Sequence, residues 1–66
     1  MNTVKRVEDL ACLRGLTVYQ LSQMSGISHS TIRTAKRRGS QLTVETIERI
    51  CQALGIALSD FFEQMN

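Results

Sequence analysis

Apolar residues recur along this chain at intervals of three and four positions, the spacing that places side chains on one face of an α-helix. No segment alternates between apolar and polar residues with the period of a β-strand. The spacing predicts helices over residues 3–14, 18–24 and 44–54, a further helix after a turn at residues 25–27, and a short fifth helix that begins near Ser59. We therefore expect an all-α fold.

The predicted helices carry apolar stripes that can share one core. The first helix contributes Val4, Val7, Leu10 and Ala11, and the helices on either side of the turn contribute Leu21, Ile27, Ile32 and Ala35. The last two helices contribute Val44, Ile47, Ile50, Cys51, Leu54, Phe61, Phe62 and Met65.

Three helix starts are marked by capping residues. Thr17 and Gln20 have the spacing of a capping box, in which each side chain accepts a hydrogen bond from a backbone N–H of the other. Leu16 and Leu21 flank that start as a hydrophobic staple. The same staple arrangement recurs with Ile27, Ser28 and Ile32, and with Leu42, Thr43 and Ile47.

The turn between the second and third helices contains Gly26, which accommodates the left-handed backbone of a helix end at low cost. Gly15, Gly39 and Gly55 follow helical patterns in the same way. We expect the two helices to cross closely at Ser22 and Gly26. Together they predict a helix-turn-helix over about residues 17–37.

Length and composition indicate one domain over residues 1–66. The chain is 42% hydrophobic, which is enough for one modest core, and no apolar run approaches the roughly 18 residues of a membrane span. The first residues lack the apolar stretch of a signal peptide, so we expect a cytoplasmic protein. Cys12 and Cys51 lie in apolar stripes without metal-ligand spacing, and we expect buried, inert thiols.

Charge is distributed unevenly although the net charge is only +2. No acidic residue lies between Leu10 and Val44, and that stretch carries Arg14, Arg33, Lys36, Arg37 and Arg38. From Glu45 onward four acidic residues outnumber Arg49, the one basic residue. This asymmetry suits a polyanion approached in one orientation, although a solvated charge run is the alternative interpretation.

The third helix has a face of hydrogen-bonding and cationic side chains. With Ile32 directed to the core, we expect an opposite face formed by His29, Ser30, Arg33, Thr34 and Arg37. A helix of this kind fits the major groove of DNA, where each base pair presents a distinct pattern of donors and acceptors. Arg33 suits a guanine edge or a phosphate, and the helix N-termini suit phosphate.

The segments GLTVYQLSQMSGISHSTI, LTVETIERICQALGI and LSDFF, in this order, resemble the Cro/CI (XRE-type) helix-turn-helix family of phage and bacterial repressors. The resemblance extends from Val4 to about Phe62. It implies a compact five-helix, lambda-repressor-like domain in which the third helix binds DNA. It further implies dimeric action on two half-sites, in a bacterial or phage-encoded protein that associates with the nucleoid when bound.

Carried over by position, the resemblance assigns base contacts to Ser28, His29, Ser30, Arg33 and Thr34. It places Thr17 and the start of the second helix at the sugar-phosphate backbone; for the remaining backbone contacts we expect Tyr19, Lys36, Arg37 and Arg38. The chain departs from the family at Val18, where many members have glutamine. It departs again at Ala35 and Lys36, where a bulky apolar residue and glutamate are frequent.

We therefore expect a sequence-specific regulator of transcription, a Cro-like repressor that binds a pseudo-palindromic operator in double-stranded DNA as a homodimer. Phe61 or Phe62 is a candidate for the two-fold contact. The alternative is a protein-interaction module, such as an antitoxin or an accessory subunit. We expect no enzyme, cofactor, small-molecule ligand or membrane partner, and a metal role for His29 is disfavoured because the histidine stands alone.

Overall fold

A computed structural model describes residues 2–63, and in this part of the chain the regular secondary structure is helical, with no strand. The five helices are α1 (Thr3–Leu13), α2 (Val18–Ser25), α3 (His29–Arg38), α4 (Val44–Leu54) and α5 (Leu58–Phe62). The predicted all-α fold is confirmed, and the predicted helix boundaries agree to within about one residue. None of the described helices has the length and apolar character needed to cross a membrane. Met65, predicted for the last helix, lies outside the described residues.

The predicted helix caps are present. The Thr17 side chain accepts a hydrogen bond from the Gln20 backbone N–H at 3.0 Å, and the Gln20 side chain accepts from the Thr17 N–H at 2.9 Å. Ser28 caps α3 and Thr43 caps α4. Asn2 also caps α1 by accepting from the Lys5 N–H, a start that the sequence pattern missed.

One core lies between the helices, and α2 contacts α1, α3 and α4. The buried hydrophobic residues are Val4, Val7, Leu10, Ala11, Leu21, Ile32, Ala35, Leu42, Ile47, Ile50, Cys51, Leu54 and Phe61. Phe61 is fully buried and its ring contacts Phe62 edge-on at 5.0 Å. Of the two phenylalanines, only the half-buried Phe62 retains surface for a two-fold contact.

Two residues predicted for the core are exposed. Val44 is 60% exposed because it continues the α4 stripe into the first turn, which no described helix covers. Cys12 is exposed because it lies about 100° around the helix from Ala11, outside the stripe. The expectation of two buried thiols is therefore wrong for Cys12 and right for Cys51, and the two cysteines are not bonded to each other.

The turn between α2 and α3 depends on backbone conformation rather than on close approach at Gly26. Gly26 has a φ of 70°, yet an added Cβ would meet nothing within 4 Å. The expected close crossing at Gly26 is therefore wrong, since the glycine is needed for its left-handed φ alone. Ser22 is buried, as expected for the crossing, and its hydroxyl donates to the Tyr19 carbonyl at 2.6 Å.

Two arginines connect α1 to the ends of the last helices. Arg6 donates through Nε to the Phe61 carbonyl at 2.7 Å, and Arg14 donates to the Leu54 carbonyl at 3.0 Å. Both therefore satisfy carbonyls that a helix end leaves without intrahelical partners. Arg14 belongs to the acid-free basic stretch in sequence, but in the fold it binds the C-terminal end of α4.

Candidate nucleic-acid interface

The exposed side of α3 carries most of the predicted DNA-binding side chains. Ile32 and Ala35 turn inward, and this packing leaves Ser30, Arg33 and Arg37 exposed. Thr34 is half-buried at the edge of this surface. Of the five positions predicted to face outward, Ser30, Arg33 and Arg37 are therefore exposed and Thr34 is half-buried.

His29 departs from that prediction. It lies three residues before Ile32, which corresponds to about 60° around the helix rather than the opposite face. Its side chain is half-buried, and its ring contacts the Tyr19 ring edge-on with centroids 5.4 Å apart. The placement of His29 opposite the core is therefore wrong, while its role as a base contact stays a prediction.

Tyr19 lies in the first turn of α2 with half of its surface exposed. Its hydroxyl accepts a hydrogen bond from the Gln23 side-chain amide at 3.0 Å. A phenolic oxygen that accepts in this way keeps its own proton for donation. The Tyr19 hydroxyl can therefore donate to a phosphate oxygen while Gln23 holds it in position.

Gln23 was missed by the sequence analysis, although its spacing of four residues from Tyr19 on one exposed helix face was a usable signal. Val18, the position at which the chain departs from the family pattern it resembles, is half-buried and packs against the core. It therefore offers DNA no polar group. Tyr19 and Gln23 are polar side chains that the exposed face of α2 presents instead.

The hydroxyls at the start of α3 form a connected pair. Ser28 Oγ lies 2.7 Å from Ser30 Oγ and also accepts from the Ser30 backbone N–H. Since each hydroxyl has one proton, the shared bond uses one and leaves the other for a base or a phosphate. Thr17 is similar, because its oxygen accepts from Gln20 while its proton stays available.

The lysine and arginine side chains divide into two groups. Five of the eight have an ion-pair or hydrogen-bond partner within the fold: Lys5, Arg6, Arg14, Lys36 and Arg49. The other three have none among residues 2–63, and they are Arg33, Arg37 and Arg38, all on α3. Cationic side chains that remain unpaired are therefore confined to one helix.

Lys36 differs from these arginines because its ammonium forms an ion pair with Glu8 of α1 at 2.5 Å. The sequence stretch around α3 lacks acidic residues, but the fold brings this one beside it. Glu8 was missed as part of the site, and no local pattern indicated it. The predicted phosphate contact by Lys36 is not tested by this geometry, and it requires the ion pair with Glu8 to open.

The described residues at this surface offer no set of metal-binding side chains. Within the described residues, no three histidine, cysteine or acidic side chains lie close enough together to bind a metal ion. His29, Arg33 and Lys36 instead line a shallow open groove of about 280 Å³ together with Glu8, Val18 and Ile32. Apart from Glu8, the polar groups that line this groove can donate hydrogen bonds or carry positive charge, which suits recognition of an anionic polymer.

Comparison with known proteins agrees with this surface chemistry. The sequence profile of the Cro/C1-type HTH DNA-binding domain matches residues 6–65. The chain is 27% identical over 60 residues to the HTH-type transcriptional regulator PuuR of Escherichia coli (strain K12), and equally to that of Shigella flexneri. Each alignment covers 91% of this chain but 32% of the relative, so the chain spans about a third of the length of these proteins. No solved structure matches significantly.

Proposed function

This chain belongs to the Cro/C1-type helix-turn-helix DNA-binding family, a family of DNA-binding domains rather than enzymes, and we propose that it is a sequence-specific regulator of transcription. In this proposal α3 enters the major groove of double-stranded DNA. The family expected from the sequence motifs is confirmed by the match over residues 6–65. The similarity to two regulators named PuuR supports a role in transcription.

The proposal rests mainly on which lysine and arginine side chains lack a partner within the fold. Arg33, Arg37 and Arg38 have no partner among residues 2–63, whereas the other lysines and arginines are paired. Three unpaired positive charges on one helix repel one another unless a polyanion is bound. Neutralising phosphates with these side chains releases counterions from DNA, which is the main source of sequence-independent affinity.

We assign separate roles to the polar groups. Arg33, with Ser30 and Thr34 on the same side of α3, reads base edges, since a guanidinium pairs in bidentate fashion with guanine. Ser28 and His29 contact the bases at the entry of the helix. Phosphates are held by the hydroxyls of Thr17 and Tyr19 and by two arginines at the end of α3, Arg37 and Arg38.

We further propose a homodimer that acts on a pseudo-palindromic operator as a Cro-like repressor. Helix α3 has ten residues and is about 15 Å long, so one copy reads roughly four base pairs. Two copies related by a two-fold axis double that number and improve discrimination. Phe62, half-buried next to Phe61, is our candidate for the contact between copies.

Selection of binding sites from a pool of random duplex DNA tests the proposal. We expect enrichment of one motif, with two half-sites about 34 Å apart if the dimer forms. A motif without two-fold symmetry would contradict the dimer only. No enrichment, together with binding that does not depend on salt, would contradict DNA reading and favour a protein-interaction module such as an antitoxin or accessory subunit.

A matched pair of variants tests which cations bind DNA. The double variant Arg37→Gln/Arg38→Gln removes two unpaired charges of α3, and Lys5→Gln/Arg49→Gln removes two exposed charges that have acidic partners elsewhere. Both changes lower the net charge equally. We expect the first double variant to flatten the slope of log affinity against log salt by an amount equivalent to almost two phosphate contacts per protomer. The second should leave this slope nearly unchanged. Equal effects of the two double variants on the salt dependence would contradict the proposal that the unpaired cations of α3 bind DNA.

A further inference from the structure

The ion pair between Glu8 and Lys36 connects α1 to the DNA-binding helix. The two atoms Oε2 and Nζ lie 2.5 Å apart, although the residues are 28 positions apart in sequence. The Glu8 side chain is 30% exposed and the Lys36 side chain is 65% exposed. The carboxylate is therefore partly held in the fold, whereas the ammonium extends toward solvent.

The other ionisable side chains that line the groove with this pair, His29 and Arg33, are basic. Glu8 lines the open groove described above with His29, Arg33 and Lys36, and it supplies the one carboxylate among the described lining residues. The neighbouring Asp9 pairs with Lys5 on the exposed face of α1 instead. Glu8 is thus the acidic residue that fold geometry places beside α3.

A phosphate group and a carboxylate compete for the same ammonium. A lysine contributes to the salt dependence of DNA binding only when it neutralises a phosphate and releases a condensed counterion. Lys36 already has an anionic partner in contact, and that partner belongs to the same chain. Glu8 also adds a negative charge at the border of a surface that attracts DNA, which opposes binding of any sequence.

We propose that Glu8 is an affinity-setting residue, which occupies Lys36 as an internal substitute for phosphate and lowers the affinity of the domain for DNA of every sequence. The proposal rests on the proposed function of DNA binding. It assigns Lys36 a phosphate contact only when Glu8 is neutralised. Base reading by Arg33 and its neighbours is unaffected, so the ratio of specific to random affinity stays constant.

The variant Glu8→Gln is the direct test, with Asp9→Asn as its control. Both remove one negative charge from α1, but only Glu8 is paired with α3. For Glu8→Gln we expect random and selected duplexes to bind about 3- to 10-fold more tightly at low salt. The slope of log affinity against log salt should steepen by about 0.9 per protomer, which is about a 3-fold greater loss of affinity over a fourfold rise in salt. Asp9→Asn should leave the slope unchanged.

Changing the lysine distinguishes this proposal from a direct phosphate contact in the native protein. If Glu8 occupies Lys36, then Lys36→Gln leaves the salt slope nearly unchanged, and the double variant Glu8→Gln/Lys36→Gln returns to the native slope. If Lys36 instead leaves Glu8 to bind phosphate in the native complex, Lys36→Gln flattens the slope by about 0.9 and Glu8→Gln has no effect on it. The second result would overturn the proposal.

Two further measurements keep the outcomes separate. Circular dichroism and thermal unfolding of each variant establish that the helices persist, as expected for an exposed pair. If the native protein does not bind duplex DNA at all, the proposed function fails. If the native protein binds but Glu8→Gln and Asp9→Asn behave alike, the proposed function stands and the role of Glu8 is refuted.

Discussion

The ring of Tyr19 meets the ring of His29 edge-on, with centroids 5.4 Å apart and an angle of 83° between the planes. Tyr19 lies in the first turn of α2, and His29 is the first residue of α3. The contact therefore joins the two helix starts that the proposed function places against phosphates and bases. Aromatic pairs of this geometry contribute about 0.5–1.5 kcal/mol beyond the area they bury.

The variant Tyr19→Phe is expected to keep this ring contact and lose the hydroxyl. If the hydroxyl donates to phosphate, binding should weaken by about 0.5–1.5 kcal/mol, equally for a selected site and for random DNA. The free energy of unfolding should change by less than about 0.5 kcal/mol because the side chain is half exposed. Fluorescence anisotropy on the two duplexes provides the measurement. Unchanged affinity would remove Tyr19 from the phosphate contacts.

Arg33→Ala should weaken binding to the selected site by about 1–3 kcal/mol and relax the preference at one base position. Arg38→Ala is the comparison, since it should weaken all sequences alike and flatten the salt slope by about one contact. Titration of both variants against the selected duplex and its single-base changes separates the two roles. An equal loss for Arg33→Ala on random DNA would reassign Arg33 to phosphate.

Gly26→Ala should lower the free energy of unfolding by about 1–2 kcal/mol, because a φ of 70° is unfavourable for a residue with a Cβ. The added methyl group meets no atom within 4 Å, so no steric cost is expected in addition. Gly26→Asn should cost less, since asparagine tolerates this conformation better. Urea unfolding monitored by circular dichroism measures both. A loss well above 2 kcal/mol would indicate a helix crossing closer than the fold shows.

Burial raises the pKa of the Cys51 thiol above its ordinary value of 9.0, and the charges of Asp60 and Glu48 raise it further. Well below pH 9 the thiol is protonated in both states, and its contribution to stability is complete. As the pH rises above 9, the unfolded chain loses the proton first, so the free energy of unfolding should fall. The difference between native protein and Cys51→Ala should shrink over this range, whereas Cys12→Ala serves as control. A constant difference for Cys51→Ala would contradict the raised pKa.

Much of the molecule could be predicted from local sequence. The capping box of Thr17 and Gln20 and the caps at Ser28 and Thr43 depend on residues at most three positions apart. The apolar stripes of α1 and α3 depend on helical spacing alone, and motif order along the chain indicated the family. These features are local because helix starts and helix faces are determined within one or two turns.

The partners of the charged and half-exposed groups were determined only by tertiary packing. Nothing in the sequence near Lys36 indicates Glu8, and nothing near Arg14 indicates the Leu54 carbonyl 40 positions away. Helical spacing likewise predicted that Val44 lies in the core. Val44 is exposed, because burial also requires a second helix to cover it. Local sequence thus determined which helices form and which face each one buries. The fold decided which cations stay free for DNA, because an ion pair depends on distance in space and not on separation along the chain.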